Sequence, residues 1–134
     1  MRDEAQAPLS GRGAALGGNV ALYGALLAGS GVALGAFGAH GLKGTLSPDM
    51  LEVFETGVRY QMYHGLGLLA LAALPHQRRA PAFLLAGTII FSGSLYVLSL
   101  SGVRVLGAIT PIGGVLQLIG WGLAAYDASR ARRA

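Results

Sequence analysis

The chain has 134 residues, of which 53% are apolar and only 12% are charged, whereas soluble domains carry about 25% charged residues. This low charge excludes an ordinary soluble domain, and the absence of cysteine excludes disulfides, thiolate metal sites and thiol nucleophiles. The net charge of +4 comes from basic residues at the ends of apolar runs, which indicates membrane topology and lipid contact rather than nucleic-acid binding.

Four long apolar stretches predict four transmembrane helices. No charged side chain occurs in residues 19–39, 60–75, 80–103 or 105–126, and about 20 mostly apolar residues suffice to cross a bilayer. We therefore predict an all-α integral membrane four-helix bundle, with helices at about 16–38, 58–74, 82–101 and 105–126. A disordered or interfacial tail at 1–13 and a basic tail at 128–134 flank this membrane domain, which covers 14–127.

The first predicted helix carries small residues four positions apart. These are the pairs Gly24 and Ala28, and Gly31 and Gly35. Small residues at this spacing bare one helix face for close contact in a membrane. The sequence therefore predicts that Gly31 and Gly35 lie where the first helix packs against another.

The second predicted helix begins in a polar section. Ser47 is a suitable N-cap, Pro48 suits the first helical position, and Asp49 complements the positive end of the helix dipole. A helix over 48–74 would be about 40 Å long, more than the ~30 Å hydrocarbon core requires. We therefore predict an amphipathic interfacial helix at about 48–57 that leads into the second membrane helix.

The third and fourth predicted helices contain small and breaking residues. Ser92 and Ser94 flank a glycine without the strand-to-helix context of a nucleophile elbow, so they indicate close packing. Pro111 removes a backbone hydrogen bond and predicts a kink, and Gly113 and Gly114 follow it. Such an interruption is typical of a packing kink, and also of the broken helices at transporter sites.

The distribution of basic residues predicts the orientation. If all four helices cross, the N-terminal tail, the middle loop and the C-terminal tail share one side, which holds seven of the ten basic residues. The positive-inside rule then predicts that both termini are cytoplasmic in a multi-pass protein of a bacterial-type inner (plasma) membrane. On that side we expect five arginines to contact anionic headgroups: Arg78, Arg79, Arg130, Arg132 and Arg133.

Four short segments carry a resemblance to a known family. They are residues 35–43 (GAFGAHGLK), 54–64 (FETGVRYQMYH), 91–96 (FSGSLY) and 110–114 (TPIGG), the last followed by Gly120 and Trp121. In this order they resemble the domain of unknown function 423 family, the YgdD-like small membrane proteins. The resemblance covers about residues 16 to 125 and implies a four-helix inner-membrane protein without an assigned reaction, substrate or ligand.

Polar groups inside hydrocarbon are costly, which makes them candidates for function. Most of them concentrate toward the outer face, where we predict a polar pocket lined by His40, Glu55, Arg59, Tyr60 and His64. The Glu55–Arg59 and Tyr60–His64 pairs are four residues apart on one helix and can touch. The two histidines are weak candidates for a metal site, and the alternative is that each makes a structural hydrogen bond.

Three functions remain open on the sequence. The first is a structural or accessory membrane component, which the small size and the many packing glycines favour. The second is a minimal transporter or channel acting as an oligomer, although no Asp or Glu lies in an apolar run. The third is an outward-facing metal or lipid site around His40 and His64. We predict no cofactor, favour a role other than catalysis, and leave open a homo-oligomer or a larger membrane complex.

Overall fold

Four α-helices account for most of the chain. The computed structural model describes the backbone of residues 7–134 and the side chains of residues 18–134. The helices are α1 (Ala7–His40), α2 (Pro48–Ala72), α3 (Ala80–Ser101) and α4 (Thr110–Ala131), with a short 3-10 helix at Arg104–Ala108 before α4. No β-strand occurs in residues 7–134, which confirms the all-α prediction. Of the predicted tail at 1–13, residues 1–6 lie outside the described part, and residues 7–13 are the start of α1.

The α1–α2 connection is a tight turn that starts α2 at a defined residue. Ser47 is the N-cap, and its hydroxyl accepts a hydrogen bond from the Met50 backbone N–H at 3.3 Å. Pro48 and Asp49 occupy the first turn, as predicted. From there α2 continues to Ala72 without a break, so the interfacial section and the membrane section form one continuous helix.

Glycines bring α1 and α2 into close contact. Gly24, Gly31 and Gly38 recur every seven residues on α1, and all three are buried. A Cβ atom at Gly24 would lie 2.8 Å from the carbonyl oxygen of Gly65, and one at Gly31 would lie 2.7 Å from the sulfur of Met62. At Gly35 the nearest atom is a Val58 methyl at 3.3 Å. The two helices therefore approach backbone to backbone at Gly24 and Gly65.

Glycines also bring α3 and α4 into close contact. A Cβ atom at Gly113 would collide with the backbone nitrogen of Phe91, and one at Gly87 would lie 2.8 Å from the carbonyl oxygen of Gly113. Gly102 ends α3 in the left-handed conformation, with φ of 72°, which glycine adopts without strain. The α3 and α4 backbones therefore meet at Gly87 and Gly113.

Pro111 has a different place from the one predicted. It lies in the first turn of α4, after a 3-10 helix and the junction residue Ile109, and not inside a longer α-helix. The first turn has no intrahelical acceptor for its N–H groups, so proline costs no hydrogen bond there. The predicted kink within one helix at 105–126 is thus a junction between two helical segments.

Helices α2 and α3 occupy the middle, with α1 packed on α2 and α4 packed on α3. The apolar core is Leu68, Leu71, Ala80, Leu84 and Ala124. At one end of the bundle, the side-chain nitrogen of Gln77 in the α2–α3 loop donates to the Ala124 carbonyl oxygen at 2.9 Å. There the Arg79 guanidinium also forms a salt bridge with the Asp127 carboxylate, with 3.7 Å between nitrogen and oxygen. This end also holds the C-terminus, and the opposite end holds the 41–47 and 102–109 connections.

The outer surface of the bundle is apolar. Large exposed hydrophobic side chains occur on all four helices, among them Leu26, Leu66, Ile89 and Leu118. The segments Gly18–His40, Ala80–Ser101 and Arg104–Ala131 are long and apolar enough to cross a membrane. Helix α2 is 25 residues long, but its first half carries Asp49, Glu52, Glu55 and Arg59. The structure is that of a membrane protein whose second helix is the most polar.

Adjacent glycines of α4 offer a matched test of the α3–α4 contact. We expect Gly113→Ala to destabilise the protein by about 1–3 kcal/mol, because the new methyl group would collide with the α3 backbone. Gly114→Ala is the control, since its Cβ would meet only the Phe91 ring at 3.8 Å. The melting temperature of each variant is measured by heating it in detergent and following the loss of folded protein by size exclusion. Equal melting temperatures for the two variants would contradict the contact.

Candidate functional site

His64 is a buried side chain of α2 whose two ring nitrogens both make hydrogen bonds. Its Nδ1 atom lies 2.7 Å from the Tyr60 carbonyl oxygen, and its Nε2 atom lies 3.1 Å from the indole nitrogen of Trp121. The indole N–H can only donate, so Nε2 must accept, and Nδ1 then carries the proton that it donates to Tyr60. Both ring nitrogens are used, and the side chain is neutral in this arrangement. His64 therefore joins α2 to α4.

An aromatic groove opens beside His64 between α2 and α4. It has a volume of about 570 Å³, and its walls include Tyr60, Tyr63, Phe91, Leu118 and Trp121. The Tyr60 ring lies 4.7 Å from the Phe91 ring and stacks on His64 at 6.2 Å between centroids. Because Tyr63, Leu118 and Trp121 are also exposed on the outer surface, the groove faces the surrounding lipid. We refer to it as the aromatic groove.

Gln61 connects three helices. Its side-chain nitrogen donates to the Leu27 carbonyl at 2.9 Å and to the Ser30 hydroxyl at 2.8 Å, both on α1. Its side-chain oxygen accepts from the Tyr96 hydroxyl of α3 at 2.7 Å. The buried amide thus uses both of its ends, as a polar group in hydrocarbon must if it is not to lose free energy.

The serines of α3 also bond to neighbouring helices. Ser92 donates to the Gly57 carbonyl of α2 at 2.7 Å, and Ser94 lies 2.7 Å from the Thr110 hydroxyl at the start of α4. One further contact is long, from the Gln117 amide nitrogen to the Thr88 hydroxyl at 3.4 Å. These groups hold helices together, so they are not positioned as free nucleophiles.

The structure does not bring the predicted polar pocket together. His40 ends α1 and is exposed, whereas His64 lies beside Gly65, which packs on Ala28. Ala28 and His40 are about 18 Å apart along the axis of α1, so the two histidines lie at different depths. In residues 18–134, no group of three His, Cys, Asp or Glu side chains could hold a metal ion.

The two predicted pairs on α2 have different outcomes. Tyr60 and His64 do stack, and both belong to the aromatic groove. Glu55 and Arg59 are both exposed and do not form a salt bridge with each other. The salt bridge among the described side chains joins Arg79 and Asp127. Of the five predicted residues, the structure therefore places Tyr60 and His64 in one site.

The partner of His64 was missed by the sequence reasoning. Trp121 and His64 are 57 positions apart, and nothing in their local sequence pairs them. The available signal was a single tryptophan that follows a glycine in an apolar run. Gln77 was also missed, because it lies in a short basic loop where a solvated side chain is expected. It is buried, and its Oε1 atom has no hydrogen-bond partner among the described residues.

Comparison with known proteins places this architecture in a family. The family described as "Protein of unknown function (DUF423)" matches residues 34–114. A UPF0382 membrane protein of Staphylococcus epidermidis is 51% identical over 105 residues, which cover 75% of this chain and 86% of the relative. The UPF0382 membrane protein YwdK of Bacillus subtilis is 47% identical over 107 residues, covering 75% of this chain and 87% of YwdK.

A third relative is the UPF0382 inner membrane protein YgdD of Escherichia coli, which is 44% identical over 108 residues, covering 76% of this chain and 82% of YgdD. No solved structure matches the chain. The matched residues contain Gly57, Gln61, His64, Ser92 and Gly113, which make the helix contacts described above. The chain belongs to the DUF423 family of membrane proteins.

Proposed function

We propose that the protein is a structural or accessory component of a bacterial plasma membrane, and that its bundle is a rigid, sealed unit. One observation carries the proposal: the buried polar side chains between α2 and α3 are engaged in helix–helix hydrogen bonds. Gln61 binds α1 and α3, and Ser92 binds α2. Groups used in this way fix the helices against one another, and within residues 18–134 they are not free to line a path along which a solute could move.

The place of Pro111 and the close glycine contacts argue against the transporter alternative. Transporter sites are built from freed backbone carbonyls or ionisable side chains that line a cavity at mid-membrane. Here Pro111 lies at a helix start, and Gly113 and Gly87 are pressed against backbone atoms of the neighbouring helix. A tight contact at that depth supports a closed interior.

We further propose that both termini are cytoplasmic. The end that holds the C-terminus carries five arginines and Asp127, whereas the opposite end carries three basic residues and three acidic ones between Lys43 and Arg104. Such an asymmetry supports the orientation by the positive-inside rule.

Serine-to-cysteine variants test the sealed interior and the orientation together, because the chain has no cysteine of its own. Ser92→Cys reports the buried α2–α3 interface, Ser101→Cys the exposed end of α3, and Ser129→Cys the exposed C-terminal end of α4. In intact spheroplasts, a membrane-impermeant maleimide should label only the Ser101 variant, and permeabilisation should add the Ser129 variant. The Ser92 variant should stay unlabelled, since thiols react as thiolates, which form poorly in an apolar interior.

Two outcomes would contradict this proposal. Rapid labelling of the Ser92 variant in a folded protein would indicate a water-filled path and favour the transporter. Labelling of the Ser129 variant before permeabilisation would reverse the orientation, without bearing on the sealed interior.

A second candidate function is the binding of a lipid chain in the aromatic groove. The specific observation is a groove of about 570 Å³ that is open toward the lipid and carries a hydrogen-bonded His64–Trp121 pair in its wall. An acyl chain would fill this volume with apolar contacts, and the aromatic rings provide rigid walls for it. Of the two histidines expected at a lipid site, His64 lines this groove and His40 does not.

Trp121 is the only tryptophan in the chain, so its fluorescence reports on the groove directly. We expect at least one of brominated phosphatidylglycerol, phosphatidylethanolamine and cardiolipin, each added as a minor component, to quench Trp121 more than its mole fraction predicts. Gly114→Leu, which places a side chain in the groove wall, should reduce that excess. Gly29→Leu on α1 is the control, because no atom lies near its Cβ position. If the quenching of Trp121 follows mole fraction for every headgroup and Gly114→Leu does not change it, Trp121 is in contact only with the ordinary surrounding lipid. That result would contradict a binding site in the aromatic groove.

A further inference from the structure

One face of α2 is exposed along nearly its whole length. It lies on the arc of α2 that neither α1 nor α3 covers, and it recurs at three- and four-residue steps, the pattern of a helix–helix seam. Its outer half is charged and its inner half is apolar. We call this face the α2 stripe, and it consists of Glu52, Glu55, Arg59, Tyr63, Leu66 and Ala70.

The charged half of the α2 stripe extends into the hydrocarbon layer. Gly57 of α2 contacts Ser92 and Tyr96 of α3, so these residues lie at about the same level along the bundle axis. Arg59 is two residues further along α2. At 1.5 Å per residue its backbone therefore lies about 13 Å, measured along that axis, from the level of Ser101, where α3 ends. Helix α3 has 22 residues and is therefore about as long as the ~30 Å hydrocarbon core. The backbone of Arg59 lies well inside that layer, and Glu55 lies one turn closer to the surface.

These charges have no ionic partner in the described part of the chain. The salt bridge there is between Arg79 and Asp127, at the opposite end of the bundle. The side chains of Glu55 and Arg59 are both exposed, although they are one turn apart on the same helix. An exposed charge at this depth is costly unless it pairs with another charge or faces protein.

We propose that the α2 stripe is the interface of a homodimer, in which Arg59 of each copy pairs with Glu55 of the other. The stripe is self-complementary, because one face carries both the carboxylates and the guanidinium. A two-fold axis along the membrane normal keeps equivalent residues of two copies at equal depth. Each contact then occurs twice, and both arginines receive a partner.

The geometry of a helix supports this pairing. Side chains on a helix tilt toward its N-terminus, so Arg59 reaches toward the level of Glu55. The two residues differ by four positions, about 6 Å along the axis, which an arginine side chain spans. Deeper in the membrane, Tyr63 and Leu66 supply apolar contact, and the small Ala70 allows the two α2 helices to approach.

Cysteine cross-linking in liposomes of defined composition tests the interface, because the wild-type chain has no cysteine. Leu66→Cys places a thiol in the stripe, and we expect iodine, an oxidant that enters the bilayer and couples two neighbouring thiols, to give a disulfide-linked dimer. Ile89→Cys, on α3 and similarly exposed (60% against 54% for Leu66), is the matched control and should stay monomeric. Cross-linking of the α3 control alone, or of neither variant, overturns the proposal. A cross-link to a different protein in native membranes, with no dimer in liposomes, overturns it in favour of another partner.

Charge reversal in the Leu66→Cys background tests the ion pair itself. Arg59→Glu and Glu55→Arg should each lower the dimer fraction, with an apparent affinity reduced about tenfold, because like charges then face each other. The double variant E55R/R59E should restore dimerisation. Arg104→Glu, at the same end but outside the stripe, should leave it unchanged. Circular dichroism checks that each variant is folded. Folded single variants that dimerise normally, or a double variant that does not recover, would refute the pairing.

Discussion

Helices in lipid gain little from burying apolar side chains against one another, so this bundle depends on how closely its backbones approach. The approach is closest at Gly24–Gly65 between α1 and α2, and at Gly87–Gly113 between α3 and α4. At both places a single methyl group would meet backbone atoms, which cannot move aside. The remaining contacts form around these two crossings, because they set which side chains of neighbouring helices lie at the same depth.

The polar side chains then select one register among those that the glycines allow. A slip of one turn between α1 and α2 would separate Gln61 from Leu27 and Ser30, and a slip between α2 and α3 would separate Ser92 from Gly57. Each slip would leave a buried polar group without a partner in a medium that offers no water. Glycine contacts thus permit close packing, and hydrogen bonds make that packing specific.

The sequence predicted some of these features and could not predict others. The charge-free runs indicate how many helices there are, and Ser47, Pro48 and Asp49 mark the start of α2 to the residue, because capping is local chemistry. The place of Pro111 was not predictable, since the residues before it are as apolar as those after it. The contact between His64 and Trp121, and the separation of His64 from His40, depend on depth and packing across distant helices. A sequence pattern shows such residues as candidates but not which of them meet.

The uneven polarity of the four helices has a consequence for how the protein is made. Three segments are apolar enough to partition into lipid by themselves, whereas α2 enters with four charged residues in its first half. Of these four residues Arg59 lies nearest the centre of α2, where one charge opposes membrane insertion by about 2.5–3.5 kcal/mol. Insertion of α2 therefore depends on its neighbours, with α1 before it and α3 after it in the chain. The close backbone contact at Gly24 and Gly65 gives α2 an apolar partner, α1, against which part of this cost is offset.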